Sequence, residues 1–455
     1  MASADESIGI SLSGGGHRAT LFALGALLAI VDIGENSNVN WINSVSGGSI
    51  ASAYVAANCE YSAVTLDEFS RICRGAVGRI SKTGSVTGGR VGRFRVTFFF
   101  IVLLSSVSGI CYFSILGGVA GYVLAVVCYL AGLITWRLRG YIVELGIRDA
   151  WCRSPTTGKA VYLGENPRTV EHIFSTVDIR AALPVFLSDS YMADGRDIFF
   201  MKRLSMARAV RASAAFPGIL PPVRMRLDRL AGRKDDSWSL GSRSPRGRTA
   251  YLVDGGVYNN LGTEWPIRAG SYSHNTDHLL MKEKHHKPVS VHLVVDCSAR
   301  DKISLRILHE IPVIGSLYSI ARTYKATYES TLESARRYSP PGADIRLVEI
   351  TERPGWGHSV PDKLQMGAGN WRFASWTTGA TKTTLSRIKQ RYAIRIMAHG
   401  YALTLMTLGK FEDRSEIGSA WTAWLGGEVL ESFSFPGASA EREKLRQRIV
   451  SRRRE

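Results

Sequence analysis

The sequence predicts an α/β fold on a largely parallel sheet, interrupted by an apolar helical hairpin. Three observations predict it. A strand–loop–helix pattern occurs twice in the first 60 residues. A stretch of 40 residues, Thr97 to Trp136, holds no Asp, Glu, Lys, Arg or His. Strand-like apolar segments then resume and continue past residue 290.

In chain order, SIGISLS at 7–13 reads as a short buried strand, GGGHRAT as a loop, and TLFALGALLAIVDI at 20–33 as an apolar helix. VNWINSV at 39–45 is a second strand, and the small-residue run GGSIASAYVAAN after Ser46 suits a helix pressed closely on a sheet. Beyond the apolar stretch, KAVYLGEN and IFSTVDIRAALPVFLS contain strand-like segments. RLSMARAVRASAAFPGILPPV at 203–223 reads as a helix stopped at Phe-Pro-Gly and followed by an extended Pro-rich piece. TAYLVDGGVYNNL at 249–261 is a strand ending in Asp-Gly-Gly, and VSVHLVVDCS at 289–298 is a buried strand.

One membrane-spanning helix needs about 20 apolar residues, so the 40-residue stretch fits two spans. LGGVAG at 116–121 lies at its middle, where a hairpin would turn. Arg90, Arg93 and Arg95 precede the stretch, and Arg137 and Arg139 follow it. Basic flanks on both sides place both ends in the cytoplasm. A helical pair buried in a soluble core and a re-entrant hairpin are the alternatives. The N-terminus has neither the basic nor the long apolar region of a secretory signal, so the catalytic part is expected on the cytoplasmic side.

Composition narrows the classes further. The 455 residues are 45% hydrophobic and 21% charged, enough for a sizeable core and inconsistent with global disorder. The net charge of +18 asks for an anionic partner, nucleic acid or anionic lipid. No nucleic-acid-reading element with interleaved aromatics occurs, so no specific nucleic-acid partner is expected. The six cysteines have no metal-ligand spacing, and no metal is expected. Residues 224–248 carry eight Lys or Arg, and the chain ends in EREKLRQRIVSRRRE. Both fit contact with anionic headgroups, at about 1 kcal/mol per basic residue near the surface.

Ser46 sits in NSVSGGSI between a strand and a small-residue helix, the setting of a nucleophile elbow. A plain structural turn is the alternative. An acyl-transfer serine needs donors for an oxyanion, and the amides of Gly14, Gly15 and Gly16 at a helix start supply them, with Arg18 supporting the loop. Phosphate cradling is the weaker reading, because neither GxGxxG nor Gly-Lys-Ser/Thr is present. Gly48 keeps the elbow uncrowded. None of the ten histidines ends a strand in a way that recommends it as the base. Asp254 does end a strand, and two glycines follow it.

Four pieces, SLSGGGHRA, SVSGGS, RASAAFPGILPPV and VDGGVYNN, occur in an order that resembles the patatin-like phospholipase family, in a bacterial-type form with a transmembrane hairpin insertion. The resemblance covers about residues 1–60 and 160–300. It implies a three-layer fold and a Ser-Asp dyad without histidine or cofactor. Ser46 would attack a lipid ester, Asp254 would take its proton, and the Gly14–Gly16 amides would hold the oxyanion. Ser44 departs from the family's elbow glycine. The implied substrate is a membrane phospholipid or another lipid ester. A scaffold that keeps the fold without turnover is the alternative. The expected division is 1–90 for the first part of the catalytic domain, 97–136 for the hairpin, 150–400 for the second part and 401–455 for a C-terminal region with a basic tail. The dyad must sit on one side of the membrane, so the segment between Ser46 and Asp254 must cross it an even number of times.

Overall fold

In the computed structural model, the described residues are 7–87, 89–165, 168–194, 198–217, 220–230, 248–265, 289–298, 343–351, 378, 381 and 383–408. Most of the basic loop, the histidines at 274–286 and the basic tail fall outside them.

The fold is mixed α/β on a mainly parallel central sheet. Its parallel part runs β12 (Asp344–Glu349), β11 (Val291–Asp296), β1 (Ile8–Leu12), β2 (Val39–Ser44) and β4 (Glu171–Asp178). Beyond β4 the sheet continues antiparallel through β5 (Leu183–Ser188), β6 (Tyr191–Asp194) and β7 (Ile198–Phe200). β9 (Val223–Arg226) and β10 (Thr249–Asp254) form an antiparallel pair, and β10 joins β4. A separate small ladder pairs β3 (Tyr162–Leu163) with β8 (Leu204–Ser205).

Alternation along the strands divides the core in two. On one face Ile42 and Phe174 join the large cluster built with the helices. On the other face their neighbours Trp41 and Ile173 pack with Phe186, Tyr191 and Trp265. The helical face holds α1 (Gly16–Asp32), α2 (Gly47–Asn58) and α3 (Leu66–Lys82), whose Thr65 cap accepts the Glu68 amide. A short α4 (Gly84–Thr87) follows. Later in the chain come α7 (Met206–Ser213), α8 (Leu227–Leu230) and α9 (Gln390–Thr407).

Helices α1 and α9 touch backbone to backbone. A methyl on Gly25 would lie 2.0 Å from the Met397 carbonyl oxygen, and one on Gly400 would lie 2.2 Å from the Phe22 carbonyl oxygen. Only hydrogen fits at both.

Between α4 and β3 stand two long helices, α5 (Gly89–Leu116) and α6 (Gly118–Trp151). The chain turns at Gly117 and Gly118, both in the left-handed region at φ 67° and 68°, inside the LGGVAG stretch. Both helices are long and apolar enough to cross a membrane: Val91–Leu116 holds an 18-residue window of mean hydropathy 2.2, and Gly118–Trp151 one of 2.0. Their outer parts expose large apolar side chains, among them Phe98, Leu104, Ile115, Val119 and Ile134. The helices run longer than the uncharged stretch. At 1.5 Å per residue α6 measures about 51 Å, well beyond a bilayer core of about 30 Å. The surplus enters the domain, where Val143, Ile147, Ala150 and Trp151 are buried. The hairpin base is fastened by Asp149, which receives Arg95 at 2.8 Å, Arg148 at 3.0 Å and Arg153 at 2.7 Å.

Gly400→Val forces a side chain into the Phe22 backbone, so it should destabilise the domain by at least about 2 kcal/mol. Thermal unfolding of the variant beside wild type checks this. An unchanged midpoint would mean that α1 and α9 are not in this contact.

Candidate active site

One edge of β4 carries two strands end to end. β2 pairs in parallel with residues 171–174 and ends with Ser44 opposite Phe174. β10 pairs antiparallel with residues 176–178 and ends with Asp254 opposite Thr176. β5 occupies the other edge from Ile173 to Asp178, so β2 and β10 share the first. The two strands run toward each other, and a single β4 residue, Ser175, separates the positions where they stop. The chain leaving β2 becomes Ser46, and β10 ends in Asp254.

Ser46 caps α2 with φ 51° and ψ −110°, a conformation rare for a residue with a side chain. It is the one residue of 41–50 that is not buried. Hydrogen bonds hold it there. The Ser46 amide donates to Ser213 Oγ at 3.0 Å, and Ser213 Oγ donates to the Ser175 carbonyl at 2.7 Å. Ser49 Oγ lies 2.8 Å from Ser213 Oγ and 3.2 Å from Ser44 Oγ, which donates to the Ile173 carbonyl. Ser44, the departure from the elbow glycine, is thus tied into β4. Gly47 and Gly48 let the elbow approach the loop after β1: added methyls would meet Gly16 O at 2.1 Å and Leu12 O at 2.5 Å.

Asp254 is buried. Its amide donates to the Ala215 carbonyl at 3.1 Å, and its Oδ1 accepts the Gly256 amide at 2.8 Å. Burial pushes its carboxyl up to about 6, against the Gly256 amide and the neighbouring Ser46 side chain, which both favour the charged form. The following Gly255 stands where a methyl would sit 2.4 Å from the Ser175 carbonyl oxygen.

The glycine loop lies beside the elbow. A methyl on Gly14 would come within 3.2 Å of Ser46 Cβ. Gly15 (φ 144°) and Gly16 (φ 60°) adopt backbone that side chains disfavour, and they open α1. The Gly14 amide is already used, donating to the Asn260 carbonyl at 3.1 Å. Among the described residues the amides of Gly15 and Gly16 have no such acceptor, so the set of free donors narrows to these two. Arg18 turns away from the serine. It donates to the Cys297 carbonyl at 2.9 Å and the Thr381 carbonyl at 2.6 Å, anchoring the loop to the end of β11.

The described histidines are engaged elsewhere. His17, next to the glycine loop, donates from Nδ1 to the Ser386 carbonyl at 2.7 Å, and its Nε2 meets Ser85 Oγ at 2.5 Å. Burial lowers it to about 4. His292 is also buried, lowered to about 4, and meets Ser11 Oγ. Among the described residues no cluster of metal-binding side chains occurs. Sequence reasoning missed Ser213, Ser175 and Asn43, whose Oδ1 accepts from Ser175 Oγ at 2.8 Å. The only signal for Ser213 was its place between small residues in the RASAAFPG block.

The patatin-like phospholipase family model matches residues 10–265, more than half of the chain. The chain belongs to the patatin-like phospholipase family. The matched range includes the hairpin, whereas the sequence motifs cover two separate stretches. No curated protein sequence matches the chain. Human GIVD cytosolic phospholipase A2 is similar at 14% identity and TM-score 0.40, covering 94% of this chain and 61% of that one. Its complex with methyl gamma-linolenyl fluorophosphonate is similar at 16% and 0.41, covering 94% and 60%. VipD from Legionella pneumophila is similar at 13% and 0.32, covering 90% and 68%. This patatin-like chain thus spans about three-fifths of the human enzyme, and its family membership rests on the family model alone.

The raised Asp254 carboxyl has a stability consequence. Its ordinary value is 3.8 and its folded value about 6, so the neutral form favours folding and that contribution is lost as pH rises through 6. Asp254→Asn keeps the shape without the charge. It should be more stable than wild type by about 2–3 kcal/mol above about pH 7, with the gap closing below about pH 4. Unfolding curves across pH check this, and a gap independent of pH would contradict it.

Proposed function

We propose that this patatin-like protein is a lipid acyl hydrolase that cleaves carboxylic esters of membrane lipids through a Ser46–Asp254 dyad. The observation that carries the reading is the head-to-head ending of β2 and β10 on one edge of β4, which leaves the Ser46 side chain near enough to Asp254 to favour its charged form. In this reading Ser46 Oγ attacks the ester carbonyl as its proton passes to Asp254. The carbonyl oxygen becomes an oxyanion between the Gly15 and Gly16 amides at the start of α1. Asp254 then returns the proton to the leaving alcohol or lysolipid, and the acyl group remains on Ser46. Water deprotonated by Asp254 attacks the acyl-enzyme, releasing the fatty acid and restoring the serine. A value near 6 suits this role, because the carboxylate is ionised at neutral pH yet basic enough to accept a proton.

The hairpin α5–α6 is read as a membrane anchor. Its exposed apolar surface supports this, and both of its ends return into the same domain, as a two-span insertion requires. Basic flanks assign the domain to the cytoplasmic side, where the chain's +18 charge suits anionic lipid. The division into a split catalytic domain, hairpin and basic C-terminal region belongs to this same reading.

Ser46→Ala and Asp254→Asn should each lower release of fatty acid from phospholipid vesicles by about a thousandfold or more. Wild-type kcat/KM should rise about tenfold per pH unit below 6 and level off above it, following ionisation of Asp254. Full turnover by either variant would end the dyad reading.

A further inference from the structure

The contact between α6 and α7 fixes where the bilayer surface lies relative to the dyad. One face of α6 carries Trp136, Gly140, Glu144, Ile147 and Trp151 at helical spacing. Its inner end is buried in the domain, and its outer end, Trp136, closes the uncharged stretch. The Arg139 guanidinium lies over the Trp136 ring at 4.2 Å, a pairing suited to a membrane boundary. Four residues further in, about 6 Å along the helix, Gly140 receives α7 and the turn that follows it. A methyl there would lie 2.2 Å from Arg211 Nη2 and 2.8 Å from Pro221 Cγ. Glu144 then binds Arg211 at 3.3 Å, with both side chains largely buried.

The segment seated at Gly140 is also the wall of the dyad. Ser213 accepts the Ser46 amide, and the Ala215 carbonyl accepts the Asp254 amide. Phe216 comes next and is 43% exposed. Around this junction basic groups accumulate. Arg139 and Arg208 are both close enough to act electrostatically on Arg211. Arg208 donates to the Arg224 carbonyl at 2.8 Å. Arg137 and Arg224 are exposed, and Arg139 and Arg208 half-exposed. Glu144 is committed to Arg211, which leaves the strip positive.

We infer that Arg137, Arg139, Arg208 and Arg224 form a docking strip for the anionic headgroups of the bilayer that holds the hairpin, laying the Phe216 turn on the membrane surface as the entrance to the site. The inference rests on the membrane reading of the hairpin. The occupant is lipid rather than another macromolecule because the strip is continuous, within one turn of α6, with the apolar surface of the hairpin. A lipid ester then travels only from headgroup depth past Phe216 to reach Ser46.

The test uses the full chain in vesicles of phosphatidylcholine, alone or with about one third phosphatidylglycerol. An environment-sensitive fluorophore is placed on Phe216→Cys in a chain carrying Cys59→Ala, Cys111→Ala and Cys128→Ala. In anionic vesicles its emission should shift to the blue and be quenched by lipids spin-labelled near the headgroup. The same fluorophore on Asn38→Cys, at the opposite end of β2, should remain in water. Changing Arg137, Arg139 and Arg224 to Gln should weaken the surface-bound state about fivefold per arginine, and changing them to Lys should retain it. A Phe216 probe that reads water in anionic vesicles, or quenching equal in the Gln variant and wild type, would overturn the proposal. The readout is independent of turnover. A Ser46→Ala chain that hydrolyses lipid normally would end the dyad reading while leaving the docking strip in place.

Discussion

The site depends on one constraint, the sharing of a single edge of β4 by two opposed strands. Parallel β2 fills the first half of that edge and antiparallel β10 the second. Strands so arranged must aim their ends at each other, and the gap between them is the length of one residue. Ser175 fills it and organises what surrounds it. Its carbonyl accepts the hydroxyl of Ser213, its hydroxyl donates to Asn43, and its backbone admits only glycine at position 255. Residues more than 200 apart in the chain therefore meet through backbone pairing, with little left to side-chain flexibility.

Local cost accompanies this arrangement. Ser46 is held at positive φ, and Asp254 is buried where its charged form is disfavoured. Both are conditions that a fold selected for stability alone would avoid. The surrounding structure over-determines them. The serine network grips the elbow from β4 and α7, the Asp254 amide is tied to the Ala215 carbonyl, and the Gly256 amide holds the carboxylate. Burial raises Asp189 too, to about 7, but that carboxylate is salt-bridged to Arg168, whereas Asp254 stands beside a serine held at positive φ.

Much of this was legible in the sequence, for local reasons. Strand–loop–helix alternation marked β1, α1, β2 and α2, and glycines marked the turns at 14–16, 47–48 and 117–118. A stretch without charge marked the hairpin. Its limits were less visible: α6 continues past Arg137 and Arg139, so the end of the uncharged stretch is not the end of the helix. The spent amide of Gly14 was invisible, because its acceptor Asn260 lies some 250 residues away. The role of Ser213 was hidden for the same reason, since a serine among alanines carries no periodic signal. The antiparallel insertion of β10 into the β2 side of β4 could not be read from either strand, although it decides the geometry.

The most direct test of the Ser46–Asp254 pairing is fluorophosphonate labelling of the purified chain, with peptide mapping of the modified residue across pH. The account predicts one modified residue, Ser46, with labelling that rises through about pH 6 and is lost in Asp254→Asn. Modification of another residue, or labelling of Ser46 that is indifferent to Asp254, would contradict it.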